Sequence, residues 1–535
     1  YNTIKGGTGS GAVNQRDNVT VQQGFENAGY DIVNADFVNQ MHELWTANGG
    51  GTSQGWGFKW VNEPVYEQTE GAADQTDTAI YVIARNSGEG SDRSSGKGDY
   101  LLSDDERANL ELLGKTFDNV VVVLNVGGII DTKFFSEING LDSMLLMSQA
   151  GMEGGNALAD ILTGKTTPSG KLTDTWAKNY SDYPAATTIG DNDGDNKQED
   201  YKEGIYVGYR YFDTFNITPA YEFGYGKSYT SFDVEPLTVA ADENNVSVTV
   251  NVTNTGDTYS GKEVVEVYFS APDGSIEKPY QELAAYQKVE VKAGETKEVT
   301  LSFDTDEMAS YDENNEQYVL EDGTYKIRVG NSSRNTVEAA DIKLDKDVVT
   351  EKAENALGMT KDKMQTGTYT ADHVVAEGGA YKMDILDEKS TGYGTGITPS
   401  TEGLSAAKAS LSLAASSFEK TETHAYTDGK VTSYISEDKD SDSNAYSKNA
   451  DLEKETKKTV KAAKDATLVD VVNGKLTMEE LVANMSSTEL ADLVEGGTYD
   501  GLSAGSSSSA VIGSQADSVY GAAGETTSNL YNSRY

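Results

Sequence analysis

A chain of 535 residues exceeds the about 250–300 residues at which a single hydrophobic core stops growing, so two or three domains are expected. Its 87 acidic residues against 43 basic ones give a formal charge of −44, which repels nucleic acid and anionic lipid and suits a neutral substrate. The absence of cysteine excludes disulfides, thiolate catalysis and Cys-ligated metal, and His42, His373 and His424 are too dispersed to form a metal set. The chemistry therefore falls to carboxylates, with no cofactor and no metal expected. The nearly continuous apolar run Val120 to Val126, interrupted only by Asn125, is far short of the roughly 18 residues that suggest a membrane span.

The first predicted feature is the loop Gly7-Thr-Gly-Ser-Gly-Ala12, a loose match to the dinucleotide fingerprint. No strand precedes it, and Asn14, Gln15 and Arg16 interrupt the helix start, so a tight structural or substrate-facing loop is the better reading. A nucleotide-binding α/β protein is the weaker rival. Residues 1–231 otherwise alternate short apolar runs with helical patterns, which predicts a mostly parallel sheet covered on both faces. Ala79–Ala84 and Val120–Val126 are its clearest strands, almost continuously apolar as doubly buried strands should be. Between them Ser103-Asp-Asp-Glu106 is a capping box that opens a helix carrying Leu110, Leu112 and Leu113. Gly151 to Leu162 reads as another helix, stopped by Gly164 and Pro168.

From Phe232 to Leu344 the period changes to two. Val246 to Thr253 alternates strictly, and Val264–Phe269, Lys288–Val291, Glu298–Phe303 and Tyr325–Val329 follow, with turns at Asn254-Thr-Gly256, Ala293-Gly294 and Asp322-Gly323. Such spacing predicts an antiparallel β-sandwich. Residues 345–466 are dominated by Ser, Thr, Gly, Lys and acidic residues and read as a linker or insertion, partly helical near Leu452 to Ala463. Over 467–535, Thr477-Met-Glu-Glu480 is a second capping box with Leu481 and Met485 on one face, and Ser486 to Glu489 opens a third helix.

One segment stands out chemically: Ser87-Gly-Glu89-Gly-Ser-Asp92-Arg93 follows directly on the strand ending near Arg85. Ligands of open α/β sheets bind at the carboxyl ends of the strands, and a carboxylate between two glycines can be approached there by a substrate. A solvated acidic turn is the equally admissible alternative on this motif alone. Asp92 and Arg93 could pair with each other or orient the loop, with Arg85 behind it.

The string Tyr201-Lys-Glu-Gly-Ile-Tyr-Val-Gly-Tyr-Arg-Tyr-Phe-Asp-Thr214, with Phe223-Gly-Tyr-Gly-Lys-Ser-Tyr-Thr-Ser-Phe232, resembles the end of the α/β sandwich domain of family 3 glycoside hydrolases. Ala150-Gly-Met-Glu-Gly-Gly155 and Gly164-Lys-Thr-Thr-Pro-Ser-Gly-Lys-Leu172 are similar to the same domain. Glu282-Leu-Ala-Ala-Tyr-Gln-Lys-Val289 and Gly294-Glu-Thr-Lys-Glu-Val-Thr-Leu301 resemble its fibronectin type III-like domain. Leu476-Thr-Met-Glu-Glu-Leu481 and Tyr520-Gly-Ala-Ala-Gly-Glu-Thr-Thr527 look like the opening of the family's (β/α)8 barrel, placed last as in a permuted branch.

The resemblance covers about residues 2–344 and 467–535. It implies an α/β sandwich over 1–231, a fibronectin type III-like domain over 232–344 and a barrel opening over 467–535, in a chain cut at both ends. It further implies retaining hydrolysis of β-glycosides, a β-glucoside by default and a β-xyloside as the alternative. Glu89 falls on the family's general acid/base, with Arg85, Asp92 and Arg93 as loop support or substrate contacts. The nucleophilic aspartate would come from the rest of the barrel in the same polypeptide, which would leave residues 1–535 inactive alone. The expected partner is an oligosaccharide or β-glycoside, and a homo-oligomer is left open. A bacterial protein is expected, outside the cell or at its surface rather than in the cytoplasm. A non-catalytic surface or assembly protein on the same scaffold is the rival reading.

Overall fold

A computed structural model describes residues 3–6, 18–47, 53–54, 57–58, 69–86, 93–186, 203–312, 314–353, 396–405, 408–418, 422–424, 432–436, 456–461, 467–483 and 485. The chain divides into two compact units, one comprising residues 1–130, 134–160 and 427–535, the other residues 131–133 and 161–426.

The first unit opens with α1 (Val21–Asn27), whose Thr20 hydroxyl accepts from the Gln23 amide while Gln23 reaches back to the Thr20 amide. Next come α2 (Ala35–Ala47), the short strands β1 (Ser53–Gln54) and β2 (Gly57–Phe58), which pair antiparallel, and α3 (Thr69–Ala73). The central elements are β3 (Thr78–Arg85), α4 (Asp104–Thr116), β4 (Asn119–Val126), α5 (Phe134–Glu137), β5 (Ser143–Leu146) and α6 (Gly154–Leu162). Strands β3, β4 and β5 form a parallel sheet in that order, in register from Thr78↔Asn119 to Arg85↔Val126.

The valines of β4 explain its central place. Val120, Val122, Val123, Leu124 and Val126 are buried on both faces, each contributing about 1.5–3 kcal/mol by burial. Helix α4 starts where its sequence predicts, with Ser103 and Glu106 capping each other, and it buries Asn109, Leu110 and Leu113. Helices α1 and α6 meet through glycines. A Cβ on Gly155 would lie 2.0 Å from the Thr20 carbonyl oxygen, and one on Gly24 would lie 2.0 Å from that of Gly155.

The second unit contains α7 (Tyr209–Thr214) and a β-sandwich. One sheet has the order β10 (Thr296–Asp304), β7 (Asn245–Asn254), β6 (Phe232–Ala241). The other runs β16 (Ala409–Leu413), β14 (Asn335–Leu344), β13 (Gly323–Ser332), β8 (Gly261–Ser270), β9 (Glu282–Val291). Alternation along β7 is complete: Val246, Val248, Val250 and Val252 face a core shared with Val265, Val267, Ile327, Val329 and Ile342 of the facing sheet. The outward Thr249 pairs instead with Thr300 across the strands at 2.8 Å. A smaller sheet orders β11 (Ser310–Asp312), β12 (Gln317–Leu320), β15 (Val348–Ala353) and β17 (Glu422–His424).

Strand pairing continues past Leu344, where the sequence pattern placed the end of the sandwich. β15 pairs with β12, and β16 adds to β14 in parallel from Ala340↔Ala409 to Leu344↔Leu413. Leu411 and Leu413 pack on the sandwich core, so part of the segment read as a linker closes an edge that β14 would otherwise expose.

A second difference is a correction. The helix expected near Leu452 to Ala463 is a strand within the described residues: β19 (Thr456–Val460) pairs in parallel with β18 (Thr432–Ser436), Thr432↔Thr456 to Ser436↔Val460. Three of its five residues, Thr456, Thr459 and Val460, are β-branched and stiff at χ1, which favours the extended chain. Helices α8 (Leu468–Val472) and α9 (Met478–Ala483) follow. The second capping box forms: the Thr477 amide donates to Glu480 at 2.8 Å and the Glu480 amide to the Thr477 hydroxyl at 3.2 Å. Leu481 and Met485 are buried, as their spacing implied. The helix expected from Ser486, the Tyr520–Thr527 string and the Gly7–Ala12 loop lie outside the described residues.

Candidate active-site loop

The parallel sheet sets the geometry. β3, β4 and β5 all run the same way, so Asn86, the Gly127-Gly128 pair and Met147–Gln149 emerge together at its carboxyl edge. Polar side chains knit this edge. Asn125, fully buried at the end of β4, donates from Nδ2 to the carbonyls of Ile4 and Ser148 at 2.8 and 2.7 Å, and its Oδ1 accepts the Ile4 amide at 2.6 Å. Gln149 Nε2 donates to Asn86 Oδ1 at 3.3 Å. Ser148 holds φ at +53°, a conformation costly for a residue with a Cβ and fixed here by that carbonyl contact.

Glu89 and Asp92, with the rest of residues 87–92, lie outside the described residues. Their two flanks are described. Arg85, the last residue of β3, is buried and makes four hydrogen bonds: Nη1 and Nη2 to the two oxygens of Glu106 at 2.6 and 2.7 Å, Nη1 to the Ala84 carbonyl at 2.8 Å, and Nε to the Asp99 carbonyl at 2.7 Å. Such a fork-to-carboxylate pair fixes both position and orientation. Glu106 is also the capping residue of α4, accepting the Ser103 amide at 2.8 Å. One carboxylate thus ties the helix start to the strand end.

Arg93, on the far side of the segment, donates from Nε to Asp99 Oδ1 at 2.6 Å and from Nη1 to the Ile129 carbonyl at 2.9 Å. The sequence left open a pairing with Asp92; among the described residues the ionic partner of Arg93 is Asp99. Asp99 Oδ2 also accepts the Ser94 amide at 2.5 Å. Arg85 and Arg93 are therefore brought together through Asp99, which no sequence signal had singled out. Asp99 sits in a turn with Gly98 at φ +84° and reads as an ordinary turn aspartate.

The other unit holds a polar cavity of about 440 Å³, lined among others by Lys171, Glu222, Glu263, Asn331 and Ser332. Two of its carboxylates are engaged by protein groups. Glu263 meets Lys171 Nζ at 2.8 Å, and Glu222 accepts the Ser332 hydroxyl at 3.1 Å. Glu266, buried beside them, accepts the Tyr268 hydroxyl at 2.6 Å, and burial pushes its carboxyl up to about 7. No group of three or more metal-ligating side chains occurs among the described residues, and no described helix is long and apolar enough to cross a membrane.

Comparison with known proteins decides what this arrangement belongs to. Residues 2–209 match the glycosyl hydrolase family 3 C-terminal domain, and residues 263–333 match a fibronectin type III-like domain. Residues 2–209 thus carry the C-terminal domain of glycoside hydrolase family 3. The chain's parallel α/β sheet and its β-sandwich are the corresponding folds. The chain is 34% identical over 420 residues to β-glucosidase A of Butyrivibrio fibrisolvens, covering 69% of this chain and 50% of that protein. It is 36% identical over 365 residues to a β-glucosidase of Ruminococcus albus, covering 66% of this chain and 38% of the other. Among solved structures it is similar to β-glucosidase 3B of Thermotoga neapolitana in complex with glucose, with a TM-score of 0.61, 38% identity, and coverage of 64% of this chain and 49% of that one. The chain thus spans about half the length, or less, of these relatives.

Proposed function

We propose that this chain supplies the general acid/base of a retaining β-glycosidase, acting on β-glucosides, and that Glu89 is that residue. The observation that supports the proposal lies in the two described flanks of residues 87–92: Arg85 ends a parallel strand at the sheet edge where α/β sheets bind ligands, and Arg85 and Arg93 are held by a common aspartate. The similarity to β-glucosidases supplies the substrate class.

In this mechanism the Glu89 carboxyl gives its proton to the glycosidic oxygen as the bond from the anomeric carbon to that oxygen breaks. A second carboxylate, about 5–5.5 Å away, attacks the anomeric carbon from the other face. The Glu89 carboxylate then takes a proton from water, whose oxygen attacks the anomeric carbon and releases the second carboxylate. We assign that attacking group to barrel sequence of the same polypeptide and to no residue of 1–535. Arg85 and Arg93 support the loop through their backbone and carboxylate contacts, and Asp92 belongs to the loop itself.

The test is the anomer formed first. Proton NMR of the intact protein acting on an aryl β-glucoside should show the β-sugar appearing before mutarotation. First appearance of the α-sugar would rule out the two-step route, and no release from any aryl β-glycoside would favour a non-catalytic role.

A further inference from the structure

Both flanks of the 87–92 segment converge on one residue. Arg85 binds the main chain of Asp99 and Arg93 binds its side chain, so Asp99 fixes the distance between the strand end and the point where the chain returns. The same carboxylate accepts the Ser94 amide, which sets the direction in which the chain leaves Arg93. The anchor is itself held. Leu101 donates from its amide to the Gly96 carbonyl at 3.0 Å and Gly98 donates to the Leu101 carbonyl at 2.9 Å, while the neighbouring Tyr100 is buried. Arg85 is locked by Glu106, and Arg93 by the Ile129 carbonyl.

We propose that Asp99 is a positioning residue for the acid/base loop, acting on Glu89 through Arg93 and Ser94. The proposal rests on the reading of Glu89 as general acid/base. Its physical content is that an acid placed by its loop ends loses reach when one end is released. Misplacement by about 1 Å can cost on the order of a hundredfold in rate. Removal of the Asp99 carboxylate leaves the Arg85 contact intact, because that bond goes to the main chain.

The test is Asp99→Asn in the intact protein, beside Glu89→Gln and wild type, on a series of aryl β-glucosides of rising leaving-group pKa. An activated leaving group departs with little protonation, so only poor leaving groups report the acid. Asp99→Asn is expected to lower kcat/KM about tenfold to a hundredfold for poor leaving groups and no more than about threefold for the best, within the range general-acid loss allows. Arg93→Lys, which keeps the charge but not the fork, should give a weaker version of the same trend. A uniform loss across the series in Asp99→Asn, or none, with a strong trend in Glu89→Gln overturns the role of Asp99 alone. Absence of the trend in Glu89→Gln overturns the reading of Glu89 itself. Thermal melts accompany both variants, since unfolding lowers every substrate alike.

Discussion

Glu266 makes the stability of the β-sandwich depend on pH in a direction opposite to that of most carboxylates. Its carboxyl is raised from the ordinary 4.5 to about 7, chiefly by burial; the Tyr268 hydroxyl and Lys171 pull it down, while Glu263 and Glu222 push it further up. In the unfolded chain it ionises near 4.5. Between the two values the folded state holds the proton and the unfolded state does not. Its contribution is therefore fully present below 4.5 and lost as pH rises through about 7. The gap of about 2.5 pH units, at about 1.4 kcal/mol each, sets an upper bound of roughly 3.5 kcal/mol. Glu266→Gln, which carries no charge at any pH, removes this dependence. Hydrogen exchange at the β8 amides of wild type and variant, compared at each pH so that intrinsic rates cancel, measures it. Wild type should lose about 1–3 kcal/mol relative to the variant between pH 5 and pH 8. A difference that stays constant across that range would refute the reasoning.

Two further perturbations test the packing. Gly155→Ala puts a methyl 2.0 Å from the Thr20 carbonyl, a backbone atom that cannot swing away, so it should destabilise by about 1–3 kcal/mol or more in urea unfolding. Ser103→Ala removes the reciprocal cap of α4 and should cost about 1 kcal/mol by the same measurement; a loss well beyond that would show that Glu106 has also let go of Arg85.

Legibility in the sequence followed how local the determinant was. β7 could be read residue by residue because its valines alternate without a break and each one is buried. The caps at Ser103 and Thr477 were readable because their partners lie three residues away. Arg85 holding Glu106 spans 21 residues, and Asn125 holding Ile4 spans 121, so neither left a local mark. Ala409-Ser-Leu-Ser-Leu413 alternates visibly, yet nothing near it says that it joins β14 far upstream. β19 was misread because Lys and Glu around it fit a helix, whereas Thr456, Thr459 and Val460 decide for the strand. Of the candidate site, the strand end at Arg85 was legible. The clasp at Asp99 was not, since a turn aspartate looks the same whether or not two arginines reach it.

The central claim is that Glu89 transfers the proton. The most direct measurement is the product formed by the Glu89→Gln variant of the intact protein from an activated aryl β-glucoside in the presence of azide. A small anionic nucleophile needs no general base, so azide should restore turnover and leave as the β-glucosyl azide, identified by its anomeric proton coupling in NMR. A variant that hydrolyses natural and activated β-glucosides with the same modest loss, and that yields no glycosyl azide, would contradict the account.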